Sequence, residues 1–167
     1  LGGYRFICPD MIGGGEYRSF LDGAALDEVL FVRYAQCSAL MPMMQFSANP
    51  FRVLSGENAE LCRKAAWLHE DNGKYISDLI KKCMKNKLPV IAPVGYYDSN
   101  ADISEKDSFM LSDELLVSPI TKKGVKEKNI YLPQGDWMSW NGEKYSGGNK
   151  IRIKATIKDL PFFKKIQ

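Results

Sequence analysis

Between residues 26 and 44 apolar side chains recur at helical spacing. Val29, Val32 (or Leu30), Cys37, Leu40, Met41 and Met44 fall near one face of a helix. Asp22 or Asp27 is placed to cap its start, and Pro42 to kink or stop it. A second helical pattern runs from about 57 to 86, with Leu61, Ala65, Leu68, Ile76, Leu79, Ile80 and Cys83 recurring on one side. Gly73, following Asp71-Asn72, predicts a bend or break within it. Ahead of both lies the apolar run Phe6-Ile7-Cys8, which reads as a short strand. It ends in Pro9-Asp10-Met11-Ile12 and three glycines, Gly13-Gly14-Gly15.

Near Lys87 the pattern changes from helical to short strand-like runs punctuated by turn residues. The runs are Pro89–Val94, Phe109–Leu111, Leu115–Ile120, Asn129–Leu132, Trp137–Trp140 and Ile151–Ile157. Lys123-Gly124, Gln134-Gly135-Asp136, Asn141-Gly142 and Gly147-Gly148-Asn149 separate them. Asn141-Gly142 predicts a two-residue hairpin turn, because both residues tolerate positive φ. Several strands at this spacing suggest an antiparallel sandwich or part of one.

A chain of 167 residues can bury a real core as one medium domain or two small ones. Its hydrophobic and charged fractions, 45% and 26%, are those of an ordinary soluble protein. The net charge of +3 comes with lysines bunched late, at Lys81-Lys82, Lys122-Lys123, Lys126, Lys128 and Lys164-Lys165. Acids sit among them and no aromatics interleave, so a solvated basic surface is expected and nucleic acid is not. No apolar stretch approaches the ~18 residues that span a bilayer, and no signal-peptide pattern is visible, so no membrane partner is expected. The four cysteines, at 8, 37, 62 and 83, form no C-x-x-C pair and have no histidine beside them. No metal or cofactor is expected. Cys37, Cys62 and Cys83 read as buried reduced thiols on helix faces, which favours a cytoplasmic setting.

Little conventional catalytic chemistry is present. His69, the only histidine, sits in the polar stretch Leu68-His69-Glu70-Asp71 and reads as structural or surface-exposed. The glycine run lacks the lysine and following acid of a phosphate-binding loop. Among the 20 acids, Asp10 alone stands where a site residue would, at the end of a strand. It reads equally as a turn-capping residue. Trp137, Trp140, Tyr131 and Tyr145 are expected to pack a β-domain, with a sugar-stacking platform the lesser reading.

The order of segments carries more than any one of them. "FICPDMIGGG", "LFVRYAQCSALMPMMQFSANPF", "LPVIAPVGYYDSN", "DSFMLSDELLVSPI", "NIYLPQGDWMSWNGEKYSGG" and "IKDLPFFKK" follow one another as in the C-terminal part of glycoside hydrolase family 31. That family includes α-glucosidases, α-xylosidases and α-galactosidases, and the resemblance covers essentially the whole chain. It implies an α+β fragment: residues 1–87 as the last strand and final helices of a (β/α)8 barrel, and residues 88–167 as most of the antiparallel β-sandwich that follows.

Members of the family are retaining enzymes in which one aspartate attacks the anomeric carbon and another serves as acid and base. No stretch here resembles either motif, so the resemblance implies a chain without catalysis of its own. Asp10 matches the aspartate of the family's D-I-G-G-F turn, which organises the subsite of the non-reducing sugar. Glycine replaces the aromatic that usually flanks the sugar. Ser47 stands where many α-glucosidases have a sugar-binding histidine, and Gln45 is a second polar contact. These departures make an α-galactoside or modified sugar as eligible as glucose. The implied partner is an α-linked oligosaccharide or glycoside bound by the intact parent. Uncovered barrel faces imply self-association, or reorganisation of residues 1–50, in the isolated chain. The competing expectation is a non-catalytic carbohydrate-binding or structural β-domain with a helical arm.

Overall fold

The computed structural model describes residues 6–14, 26–102 and 106–166. The chain forms two compact units, one built from Cys8–Gly73 and the other chiefly from Lys74–Gln167. Helices and antiparallel sheet account for the regular structure.

The first unit is helical. Helix α1 spans Glu28–Ser38, and Asp27 caps it by accepting a hydrogen bond from the Leu30 amide at 3.1 Å; Asp22 lies outside the described residues. The helix ends at Ser38, four residues before Pro42, which has no N–H to donate to the Ser38 carbonyl. Its buried face is also rotated from the expected stripe. Phe31, Val32, Ala35, Gln36 and Ser38 are buried, whereas Leu30 is 66% exposed. Phe31 sets this phase by stacking on Phe46 at 6.3 Å between ring centroids.

The short helix α2 (Pro50–Val53) was not foreshadowed by periodicity, although Asn49-Pro50 is a standard start: Asn49 accepts from the Phe51 amide. Helix α3 (Gly56–Asp71) packs on α1. Glu28 at the start of α1 accepts hydrogen bonds from the Ser55 amide, the Ser55 hydroxyl and the Asn58 side chain. The Asn58 and Ser55 bonds hold its carboxyl below the usual glutamate range. His69 on α3 donates from Nδ1 to the Ala39 carbonyl at 3.0 Å, satisfying a terminal carbonyl of α1. It is a structural histidine.

The expected strand at Phe6–Cys8 does not form. The segment's single pairing is a parallel bridge between Ile12 and Phe46, so Asp10 precedes a bridge rather than ending a strand. A strand persists only where a neighbour takes up its amides and carbonyls. Among the described residues of this segment only Ile12 finds one, donating to the Gln45 carbonyl and accepting from the Ser47 amide, both at 2.9 Å.

The second unit begins with helix α4 (Gly73–Lys85), so the long helical pattern does break at Gly73. Eight strands follow among the described residues: β1 (Ile91–Pro93), β2 (Phe109–Leu111), β3 (Leu115–Val117), β4 (Glu127–Leu132), β5 (Asp136–Ser139), β6 (Lys144–Ser146), β7 (Asn149–Lys154) and β8 (Phe162–Ile166). They make a six-stranded antiparallel sheet, ordered β1-β2-β3-β8-β5-β6, and a two-stranded ribbon of β4 and β7. Both sheets feed one hydrophobic cluster that includes Met110, Leu116, Trp137 and Phe163 from the larger and Ile130, Leu132 and Ile153 from the ribbon. β6 and β8 were missed in the sequence because Lys144–Ser146 and Phe162–Ile166 are short and lysine-bearing, without a clear alternation.

Pro119 explains why β3 stops at Val117 although burial continues to Ile120. The Asn141-Gly142 turn is a hairpin, but of a different type. Gly142 donates to the Ser139 carbonyl, Ser139 donates to the Glu143 carbonyl, and only Gly142 takes positive φ, at 85°. That is a three-residue loop ending in a left-handed glycine. Lys82 on α4 ties the helix to the β2–β3 turn, donating to Asp113 at 2.7 Å and Glu114 at 2.6 Å. The four cysteines are free; Cys62 and Cys83 are buried, Cys37 is half-buried and Cys8 is exposed. Burial pushes the Cys62 thiol up to about 12, so it is inert. Among the described residues, no helix is long and apolar enough to cross a membrane.

Candidate functional site

The chemistry of the first unit concentrates where the Asp10 turn meets residues 45–47. Ile12, fully buried, anchors the turn through its bridge to Phe46. Gly13 then carries the chain away at φ 76° over the Phe31 side chain; a β-carbon there would sit 2.3 Å from that ring. Glycine is required twice over, by the left-handed backbone and by the lack of space. Gly14 closes the turn with its amide on the Met11 carbonyl at 2.8 Å.

This geometry settles where the three sequence-selected residues lie. Asp10 is exposed, and its Oδ1 accepts from the Met11 amide at 2.8 Å. The turn-capping role is therefore present, and Oδ2 keeps its lone pairs for a donor outside the turn. Ser47 donates through its hydroxyl to the Ile12 carbonyl at 3.0 Å, which leaves the Oγ lone pairs as acceptors. Gln45 contributes its main-chain carbonyl to the bridge, and the residue is exposed. One bridge thus places Asp10, Gln45 and Ser47 on the same two neighbouring segments.

Tyr34 of α1 is a neighbour that sequence reasoning missed. Burial, then the negative charge of Asp10, raises its phenol above the usual tyrosine value. No local signal marks it, because the apparent apolar stripe of α1 was out of phase with the real one. An acidic carboxylate beside hydroxyl groups can receive and orient the hydroxyls of a sugar; it does not by itself cleave a bond. Among the described residues no three His, Cys, Asp or Glu side chains cluster to hold a metal.

Residues 87–166 match the family profile described as the glycosyl hydrolase family 31 C-terminal domain. The chain belongs to glycosyl hydrolase family 31. A mouse (Mus musculus) myogenesis-regulating glycosidase is 31% identical over 86% of this chain and 21% of its own length. A SITS-binding protein of Tetronarce californica is 33% identical over 90% of this chain and 22% of its own. Among solved structures, the cycloalternan-degrading enzyme of Trueperella pyogenes, captured with a covalent intermediate, superposes with a TM-score of 0.78 at 24% identity. It covers 87% of this chain, which in turn covers 22% of it. At that identity the likeness speaks for the fold alone. The family 31 chain spans about a fifth of the length of the curated relatives it matches.

Gly13→Ala tests how the turn is built. We expect a loss of about 1–3 kcal/mol in chemical denaturation, from overpacking against Phe31 together with left-handed strain. An unchanged midpoint would mean that the turn does not hold this conformation.

Proposed function

We propose that this chain is the C-terminal portion of a retaining α-glycosidase, in which it supplies the rim of the sugar subsite and not the reacting carboxylates. The observation that carries the reading is the parallel Ile12–Phe46 bridge, which joins the segment of Asp10 to the segment of Gln45 and Ser47. Parallel pairing followed by helices is the grammar of a (β/α)8 barrel, whose sites lie at the strand ends. The two sheets sharing one core support a β-sandwich for residues 88–167. Asp10 accepts sugar hydroxyls through its free carboxylate oxygen, and Ser47 offers a second acceptor. The glycosidase relative supports action on a glycoside, and retaining chemistry on an α-linked sugar is what the family resemblance implies.

The isolated chain is expected to show no turnover of aryl α-glucosides, α-galactosides or α-xylosides. In the intact parent, Asp10→Ala is expected to lower kcat/KM by about 10- to 100-fold, the scale of one charge-assisted hydrogen bond. Hydrolysis by the isolated chain that vanishes with Asp10→Ala would overturn this reading. A second reading is a non-catalytic carbohydrate-binding or structural β-domain with a helical arm; one relative is named for binding SITS and not for hydrolysis. A parent with no hydrolysis on the whole substrate panel would favour it.

The first unit also exposes Leu30, Phe51 (55%), Trp67 (48%), Met43 and Met11. Exposed large side chains in this number favour association with another protein surface. Sedimentation of the isolated chain is expected to show concentration-dependent self-association. A clean monomer with well-protected amides through residues 26–50 would remove that expectation.

A further inference from the structure

The second unit holds a cleft that the glycosidase reading does not use. It has a volume of about 530 Å³ and lies between β4 and the segments around Asp107 and Thr121. That volume is in the range of small-ligand sites. Ile120, 3% exposed, and Val125 give it an apolar floor, while Thr121 and Asn129 offer a hydroxyl and an amide. The Lys128 ammonium binds the walls together, donating to the Pro119 carbonyl at 2.8 Å and the Asp107 carbonyl at 3.1 Å.

The charge balance of the cleft is set by which groups are already engaged. Its two acids have partners: Asp107 accepts from the Thr121 hydroxyl at 2.7 Å, and Glu127 is paired with Arg152. Lys106 and Lys122 line the same cleft and enter no ion pair among the described residues. An adjoining hollow adds Lys126 and Lys154. The result is a concave site with a hydroxyl, an amide and, at its edge, two lysines that enter no ion pair among the described residues.

We propose that this cleft binds an anionic saccharide, a sugar ring bearing a sulfate or carboxylate group. Lys106 and Lys122 receive the oxyanion, Thr121 and Asn129 meet ring hydroxyls, and Ile120 with Val125 contacts the apolar face of the ring. A bounded concavity suits a sugar better than an extended acidic peptide, which needs a long groove or an open sheet edge.

Calorimetric titration of the 167-residue chain decides the matter, using a sulfated heparin-derived disaccharide, neutral maltose, inorganic sulfate and a short acidic peptide. The sulfated disaccharide is expected to bind most tightly of the four, with affinity falling as salt rises. The double variant K106Q/K122Q is expected to weaken it about tenfold or more while its thermal unfolding stays unchanged. Equal affinity for maltose or for inorganic sulfate, tighter binding of the peptide, or an unaffected double variant would each overturn the proposal. The readout involves no turnover, so failure of the glycosidase reading leaves it intact.

Discussion

Trp137→Ala should destabilise the second unit by about 3–5 kcal/mol, the range for deleting a large aromatic from a closed core. Trp137 has no exposed surface and sits on β5, between β6 and β8, in register with Tyr145 on one side and Lys165 on the other. Its indole Nε1 donates to the Pro133 carbonyl at 2.8 Å, so truncation removes both the ring and a buried donor–acceptor pair. The surrounding rings cannot collapse into the space, since Trp140 and Tyr145 are each committed edge-on to Phe163 at 5.9 and 5.7 Å. Urea denaturation followed by far-ultraviolet circular dichroism measures the loss. Trp67→Ala is the internal contrast: that ring is half-exposed and stacked only under Arg63, an arrangement worth about 0.5–1 kcal/mol. Equal costs for the two substitutions would mean that Trp137 is not the core of the sheet.

The same residue shows what was legible in the sequence. Aromatics flanked by turn residues read as packing more than as a sugar platform; Trp137 and Tyr131 are buried, and Trp140 and Tyr145 pack, partly buried, against the same core. Local patterns located most strands, because a Pro, Gly or Asn cluster ends a strand wherever it occurs. The β6 and β8 strands escaped because their order depends on partners: β8 is held between β3 and β5, which lie far away in sequence. Alternation cannot report a strand whose outer face carries Lys164 and whose neighbours decide its burial. Helix α1 failed in phase for a related reason. Its apolar residues surround it widely enough for several stripes, and contact with Phe46 and Gly13 selects one.

The candidate site was legible only through the order of its segments. Asp10, Gln45 and Ser47 lie some 35 residues apart in two groups, and nothing in their spacing says that Ile12 pairs with Phe46. Resemblance supplied the three residues; geometry added that Ser47 already donates its proton to Ile12 and must act as an acceptor. Tyr34 lies within a segment of the resemblance, but nothing there singled it out as a site residue.

Asp98→Ala is expected to cost about 2–4 kcal/mol, because it strands donors that the fold has buried around one carboxylate. Asp98 is 8% exposed and follows the 3-10 turn Val94–Tyr96. Its Oδ2 accepts from the Tyr131 hydroxyl and the Gln134 amide, both at 3.1 Å, and its Oδ1 from the Asn100 amide at 3.0 Å. One side chain thereby joins the loop after β1 to the end of β4 and the β4–β5 turn. Burial alone would raise its carboxyl, but the bonds from Asn100, Gln134 and Tyr131 outweigh burial and hold it below the ordinary value of 3.8. A depressed folded value means that the unfolded chain binds this proton first as pH falls. Its contribution is therefore complete above the ordinary aspartate range and is lost as pH drops through the lowered folded value. Asp98→Asn keeps the shape but loses the charge, so it should fall between wild type and the alanine variant and should flatten the acid limb of the stability profile. Tyr131→Phe removes one donor, and its cost combined with Asp98→Ala should be less than additive, since the two side chains share a bond. Strict additivity, or an acid limb unchanged in Asp98→Asn, would show that the carboxylate does not hold the loop to the sheet.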